Sequence, residues 1–227
     1  MRAQAILARY IIMNPNLHYC FVLFSLLIAA VYFGKLRKSF LALFLPYLFV
    51  TLVLELFAVY LYQTYRHPTG WMSNVLNLAS HIFYAYLFFS YTRAYKHKRL
   101  IIVLTSIYLT GSLTYYLSTS FFNFSNYVFA AGGILQVILS CIYFYQYLQR
   151  NDSVKKQEDS SGLWIASGVL LFYLGTTICF SLYHYILFHN LGIFNLPLYN
   201  VIPRLLSMIL YACIAVALLS WKSPQKT

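Results

Sequence analysis

The chain has 227 residues, 61% of them hydrophobic, 20% aromatic and only 9% charged. Soluble domains carry about a quarter charged residues, so this composition excludes a soluble globular domain and predicts an integral membrane protein with the lipid bilayer as its first partner. The formal net charge of +12 would suggest a nucleic-acid partner in a soluble chain, but here Lys and Arg fall in short segments between apolar runs, which assigns them to orientation and anionic lipid instead of nucleic acid.

Residues 1–16 are partly amphipathic and are expected to lie in the interface. Residues 17–33 form the first predicted span. Lys35, Arg37 and Lys38 follow it as a stop-transfer flank, so the run is expected to stay rather than be cleaved as a signal peptide. The second span, 40–63, carries Pro46, Thr51 and Glu55. A loop with Arg66, His67, Pro68 and Gly70 leads to the third, 72–93, which Lys96, Lys98 and Arg99 follow. The fourth is 100–118 and the fifth 126–149. Residues 150–161 are the most polar segment and predict a solvated loop. The sixth span is 163–188. A turn at 189–198 without Lys or Arg leads to the seventh, 199–221, and a short tail. Each run has about 17 to 26 residues, as a hydrocarbon layer of about 30 Å requires. Strand-like alternation is absent, so helices must satisfy the backbone. The prediction is an all-α, polytopic bundle of seven transmembrane helices in a single domain. No internal repeat suggests an inverted-repeat transporter.

Loops after spans one, three and five, with the tail, hold twelve Lys and Arg residues; the opposite side holds Arg2, Arg9 and Arg66. The positive-inside rule then predicts an outside amino terminus and a cytoplasmic carboxyl terminus. A bacterial cytoplasmic membrane is the expected location.

A charge inside a span needs a partner or a watery cavity. Arg204 stands in the seventh span, and Asn200, Arg204, Ser207 and Tyr211 share one helical face. Glu55 is the only acidic residue inside a span. At about 1.5 Å per residue, Arg204 lies about 8 Å and Glu55 about 12 Å below the outer ends of their helices, so a direct or water-bridged pair is expected. Asn74, Asn77, His81 and Tyr84 form a stripe on the third span; Tyr173, Thr177 and His184 form one on the sixth; Gln136 and Ser140 lie on the fifth. Together with Glu55, Asn200 and Arg204, these predict an outward polar pocket for a small polar ligand. Plainer readings stand beside this one. Arg204 is long enough to snorkel to the interface. Asn74, Asn77, Ser140 and Thr177 each fit helix–helix hydrogen bonds. His81 fits a satisfied buried histidine, and His184 an interfacial one.

Catalytic templates are missing. The six histidines include no HExxH and no i, i+4 pair. No GxSxG, phosphate loop or dinucleotide fingerprint occurs, and no span holds an internal Lys for a Schiff base. Cys20, Cys141, Cys179 and Cys213 lie within apolar runs without CxxC and read as small buried hydrophobes. No cofactor or metal is expected, and the balance leans away from an enzyme.

Several segments resemble a family. They are Glu55 late in the second span, an Asn-rich third span ending YAYLFFSYTRAYK, a fifth ending ILSCIYFYQYLQ and a sixth opening SGLWIASGVLLFYLGTTICF. The chain resembles small bacterial seven-helix proteins similar to the sensor region amino-terminal to some membrane histidine kinases. In such relatives a further acidic residue is expected in the third span, about where Ala85 stands here. The resemblance implies a sensing or signalling bundle whose output lies in a separate membrane or cytoplasmic partner, with homo-oligomerisation left open. A small-solute transporter or channel is the first alternative, and an intramembrane lipid-modifying enzyme using Glu55 or His81 as base the second.

Overall fold

The computed structural model describes residues 17–37, 39–65, 69–119, 121–149, 160–193 and 196–221. The predicted interfacial segment 1–16, most of the polar loop and the tail lie outside the described residues. Seven principal helices follow in order: α1 Leu17–Val31, α2 Phe44–Tyr65, α3 Gly70–Tyr91, α4 Tyr95–Ser118, α5 Asn126–Leu148, α6 Ser160–Ser181 and α7 Leu198–Ser220. Short helices Phe33–Leu36 and Tyr183–Phe188, a 3-10 turn Phe40–Leu43 and a two-stranded hairpin, β1 Gly192–Ile193 with β2 Leu196–Pro197, complete the described elements.

Five helical segments are long and apolar enough to cross a bilayer: Phe40–Tyr65, Tyr95–Ser118, Asn126–Leu148, Ser160–Ser181 and Leu198–Ser220. They mark the chain as an all-α integral membrane protein. α1, with 15 residues, spans only about 22 Å. α3 is long enough, but Ser73, Asn74, Asn77, Ser80 and His81 dilute its apolar character.

Local chemistry sets the ends. Ser39 caps the turn before α2, its Oγ accepting from the Leu41 N–H at 3.2 Å, and Pro46 stands in the first turn of α2, where a missing N–H costs nothing. Ser125 caps α5 by accepting from the Val128 N–H at 3.3 Å. Several predicted bounds are corrected. The first run breaks at Tyr32 into two helices, and the sixth breaks at Leu182. α3 starts earlier than expected. α4 takes in Lys96, Lys98 and Arg99, whose charge predicts a loop. Lys and Arg are good helix formers whose charged tips can reach water from a first turn. The turn expected before α7 contains the hairpin, entered through Asn190 at φ 47°.

α1, α2, α3, α5, α6 and α7 close a ring in which each packs on the next and α7 returns to α1; α4 sits outside, against α3 and α5. α6 makes the most extensive interfaces, with α7 and α5. Small residues allow this approach. A Cβ on Gly168 would stand 2.7 Å from the Cys213 Cβ of α7, and one on Gly133 would overlap the Thr177 hydroxyl. Side chains such as Leu23, Phe24 and Leu27 of α1, Ile102 and Ile107 of α4 and Leu171 and Ile178 of α6 point outward. A lipid environment suits such a surface, whereas a soluble monomer rarely exposes one this extensive.

The two ends of the bundle differ. At one, Phe40, Tyr91, Tyr143 and Trp221 pack edge to face or nearly so, with centroids 4.7 to 6.4 Å apart, over buried Leu41, Phe44, Leu48, Leu87 and Leu218. Lys35, Arg37, Arg93, Lys96, Lys98 and Arg99 belong to this end. The other end holds polar side chains in its interior.

Candidate functional site

The polar end contains a cavity of about 240 Å³. Tyr47, Thr51 and Glu55 reach it from α2 at i, i+4 and i+8, one face of a helix. α3 contributes Ser73, Asn77, Ser80 and Tyr84, again at helical spacing. α6 supplies Phe172 and Tyr173, and α7 supplies Ser207, Leu210 and Tyr211. Phe124 and Phe129 close the side nearest α5. Ser73 and Phe124 at the rim are exposed, while Thr51, Asn77, Tyr84, Tyr173 and Tyr211 are buried. The Tyr47 hydroxyl donates to Ser80 Oγ at 3.0 Å, and Ser80 donates to the Leu76 carbonyl at 2.7 Å. Ser207 donates to the Arg204 carbonyl at 2.8 Å.

Glu55 has a different direct partner from the one expected. His18 Nε2 stands 3.0 Å from Glu55 Oε2. Among the described residues Arg204 forms no ion pair. The reason is the ring order: α1 packs on both α2 and α7, and its first turn brings His18 to Glu55. Arg204 is half-buried. Ser25 ties α1 to α7, donating to the Tyr211 carbonyl at 2.8 Å.

Of the side chains proposed from sequence, Glu55, Asn77, Tyr84 and Tyr173 line the cavity together. Asn74 turns elsewhere. Its amide donates to the carbonyls of Phe121 and Asn123, each at 2.8 Å, and its oxygen accepts from the Ser125 N–H at 3.4 Å. It therefore clamps the α4–α5 connection. His81 is fully buried behind the cavity, over Gly132 and between the rings of Tyr108 and Tyr173, with centroids 5.1 and 5.0 Å away. Gln136 donates to the His81 carbonyl at 3.0 Å, a bond between α5 and α3. Thr177 packs on Gly133. Asn200 is half-buried in the first turn of α7, and His184 is exposed on the short helix, 5.6 Å from the Tyr183 ring.

The sequence reading did not select His18, Tyr47, Thr51, Ser73 or Ser80 for the site. Spacing from Glu55 could have found Tyr47 and Thr51. Among the described residues no cluster of His, Cys, Asp and Glu could hold a metal ion. No protein-family model, curated protein or solved structure matches the chain.

Proposed function

We propose that the chain is a seven-span sensor of the bacterial cytoplasmic membrane, with its amino terminus outside. In this reading the cavity takes a small polar ligand from the outside, and the basic end passes the occupied state to a membrane or cytoplasmic partner. One observation carries it: hydroxyl, amide and carboxylate groups from four helices meet in one cavity at the end poor in Lys and Arg. The interior of the basic end supports a sensor over a transporter. Leu41, Phe44, Leu48, Leu87, Leu139 and Ile165 fill it, whereas a conduction path favours polar lining through both halves. For a lipid-modifying enzyme, the two candidate bases are separated, since Glu55 lines the cavity and His81 is packed behind it.

Two measurements in cells test this together. Reporter fusions within residues 150–159 and after Trp221 should both read cytoplasmic. Ser207→Cys, with the exposed Cys20 and Cys141 replaced by Ala, should react with a membrane-impermeant thiosulfonate added outside. A periplasmic fusion, or a cysteine at 207 that never reacts, would end the proposal. Solute flux in proteoliposomes that Glu55→Gln abolishes would make the protein a transporter instead.

A further inference from the structure

The cavity has one formally charged lining residue, and it is a carboxylate. His18 engages Oε2 of Glu55, and among the described residues no hydrogen bond reaches Oε1. An acid held partly inside a membrane bundle needs compensation. Tyr47, Tyr84, Tyr173 and Tyr211 line the same space, and the first three pack edge to face in succession. Tyr47 and Tyr84 meet at 73° with centroids 5.7 Å apart, and Tyr84 and Tyr173 at 79° and 6.0 Å. Tyrosine rings that line one space with a carboxylate suit an alkylammonium group, because the ring quadrupole attracts a cation that a full hydration shell no longer covers. An anion would meet the Glu55 charge directly. Arg204 is not among the lining residues. At about 30 Å³ per water, the volume equals about eight waters, or one small organic molecule.

We propose that the cavity binds a small organic cation, its ammonium group held by the Glu55 carboxylate and the rings of Tyr47, Tyr84, Tyr173 and Tyr211; this rests on the reading of the cavity as a ligand site. The Ser73 hydroxyl, and the Ser207 oxygen as an acceptor, since its proton goes to the Arg204 carbonyl, are then available to a polar substituent of the cation.

Three probes of nearly equal shape separate charge from size: tetramethylammonium, tert-butanol and pivalate. Each is titrated against the purified full chain in detergent, reading apparent Tm and binding heat. Tetramethylammonium should raise Tm in a saturable way, and the other two should not. Glu55→Gln should weaken tetramethylammonium at least tenfold, and Glu55→Asp should retain most of it. Tyr84→Phe, which keeps the ring, should bind within about threefold of the native chain. Tyr84→Leu should lose roughly fivefold to thirtyfold, the share of one desolvated cation–ring contact. Binding of pivalate or tert-butanol in place of the cation, no binding of tetramethylammonium, or cation binding indifferent to both Glu55→Gln and Tyr84→Leu would overturn the proposal. The general reading of an outward cavity fails separately, through the thiol labelling at position 207.

Discussion

The partner of Glu55 can be decided by two double-mutant cycles that share it. Glu55 is replaced by Leu, because a Gln amide would still accept from His18. His18 is replaced by Phe, which keeps a ring against Tyr19, now 4.1 Å away, and Arg204 by Met. A hydrogen bond to a charged group contributes about 1.5–3 kcal/mol when buried, and an exposed ion pair about 0.2–1 kcal/mol. The side chains of His18 and Glu55 are 15% and 23% exposed at 3.0 Å, which places their coupling near 1 kcal/mol, between those limits. For a chain of this size that corresponds to about 2–4 °C in Tm. Glu55 and Arg204 share no direct contact, so their double mutant should be additive within about 0.5 kcal/mol. Apparent Tm in a single detergent, measured for all variants of both cycles, supplies the couplings. A coupling between Glu55 and Arg204 equal to or above that between Glu55 and His18 would refute His18 as the partner of Glu55.

Two further substitutions probe the packing around the cavity. Gly132→Ala would press a methyl group onto the His81 ring, which Tyr108 and Tyr173 already enclose; it should cost about 1–3 kcal/mol by thermal unfolding, and His81→Ser should recover part of that loss in the double variant, whereas additive losses would separate the two positions. Asn74→Ala leaves two carbonyls and an N–H of the α4–α5 connection unpaired, at about 1–3 kcal/mol. Asn74→Asp should be worse than Ala, because a carboxylate cannot donate to the Phe121 and Asn123 carbonyls; protease nicking within residues 119–125 would report either change, and a tolerated Asp would sink the clamp.

The positions of the helices along the chain were legible because length and apolarity are one-dimensional properties. Residues 17–33, 40–63 and 126–149 can be marked off without knowing any neighbour. Ends were less legible where two tendencies compete. Lys96, Lys98 and Arg99 look like loop residues by charge, yet they form helix well and open α4. Tyr32 and Leu182 break their helices inside continuous apolar runs, where composition carries no mark. The polarity of α3 lowers its hydropathy, and the residues responsible, Asn74 and Asn77, are turned inward.

Rotation about each helix axis is harder to read than depth, for a physical reason. In a soluble helix the polar face points to water and fixes the angle of the apolar face. In lipid, the outward side chains are as apolar as the packed ones, so Ile102 and Ile107 on the surface look like Ile165 in the core. On α3 the consequence is a shift of one residue. The stripe through Asn74 and His81 faces the α4–α5 side, and the adjacent stripe through Ser73, Asn77, Ser80 and Tyr84 faces the cavity. Asn77 and Tyr84 belong to both readings because each helical stripe is about as wide as one residue's step of 100°. The same limit governs Glu55. Its depth follows from counting residues, and depth alone makes Arg204 a plausible partner. Which helix stands beside it is a question of angle and ring order, and α1, with His18 in its first turn, answers it. Polar residues in a membrane bundle are therefore placed by their distance from a helix end first, and a pairing between two of them becomes an inference only once the helix beside each is known.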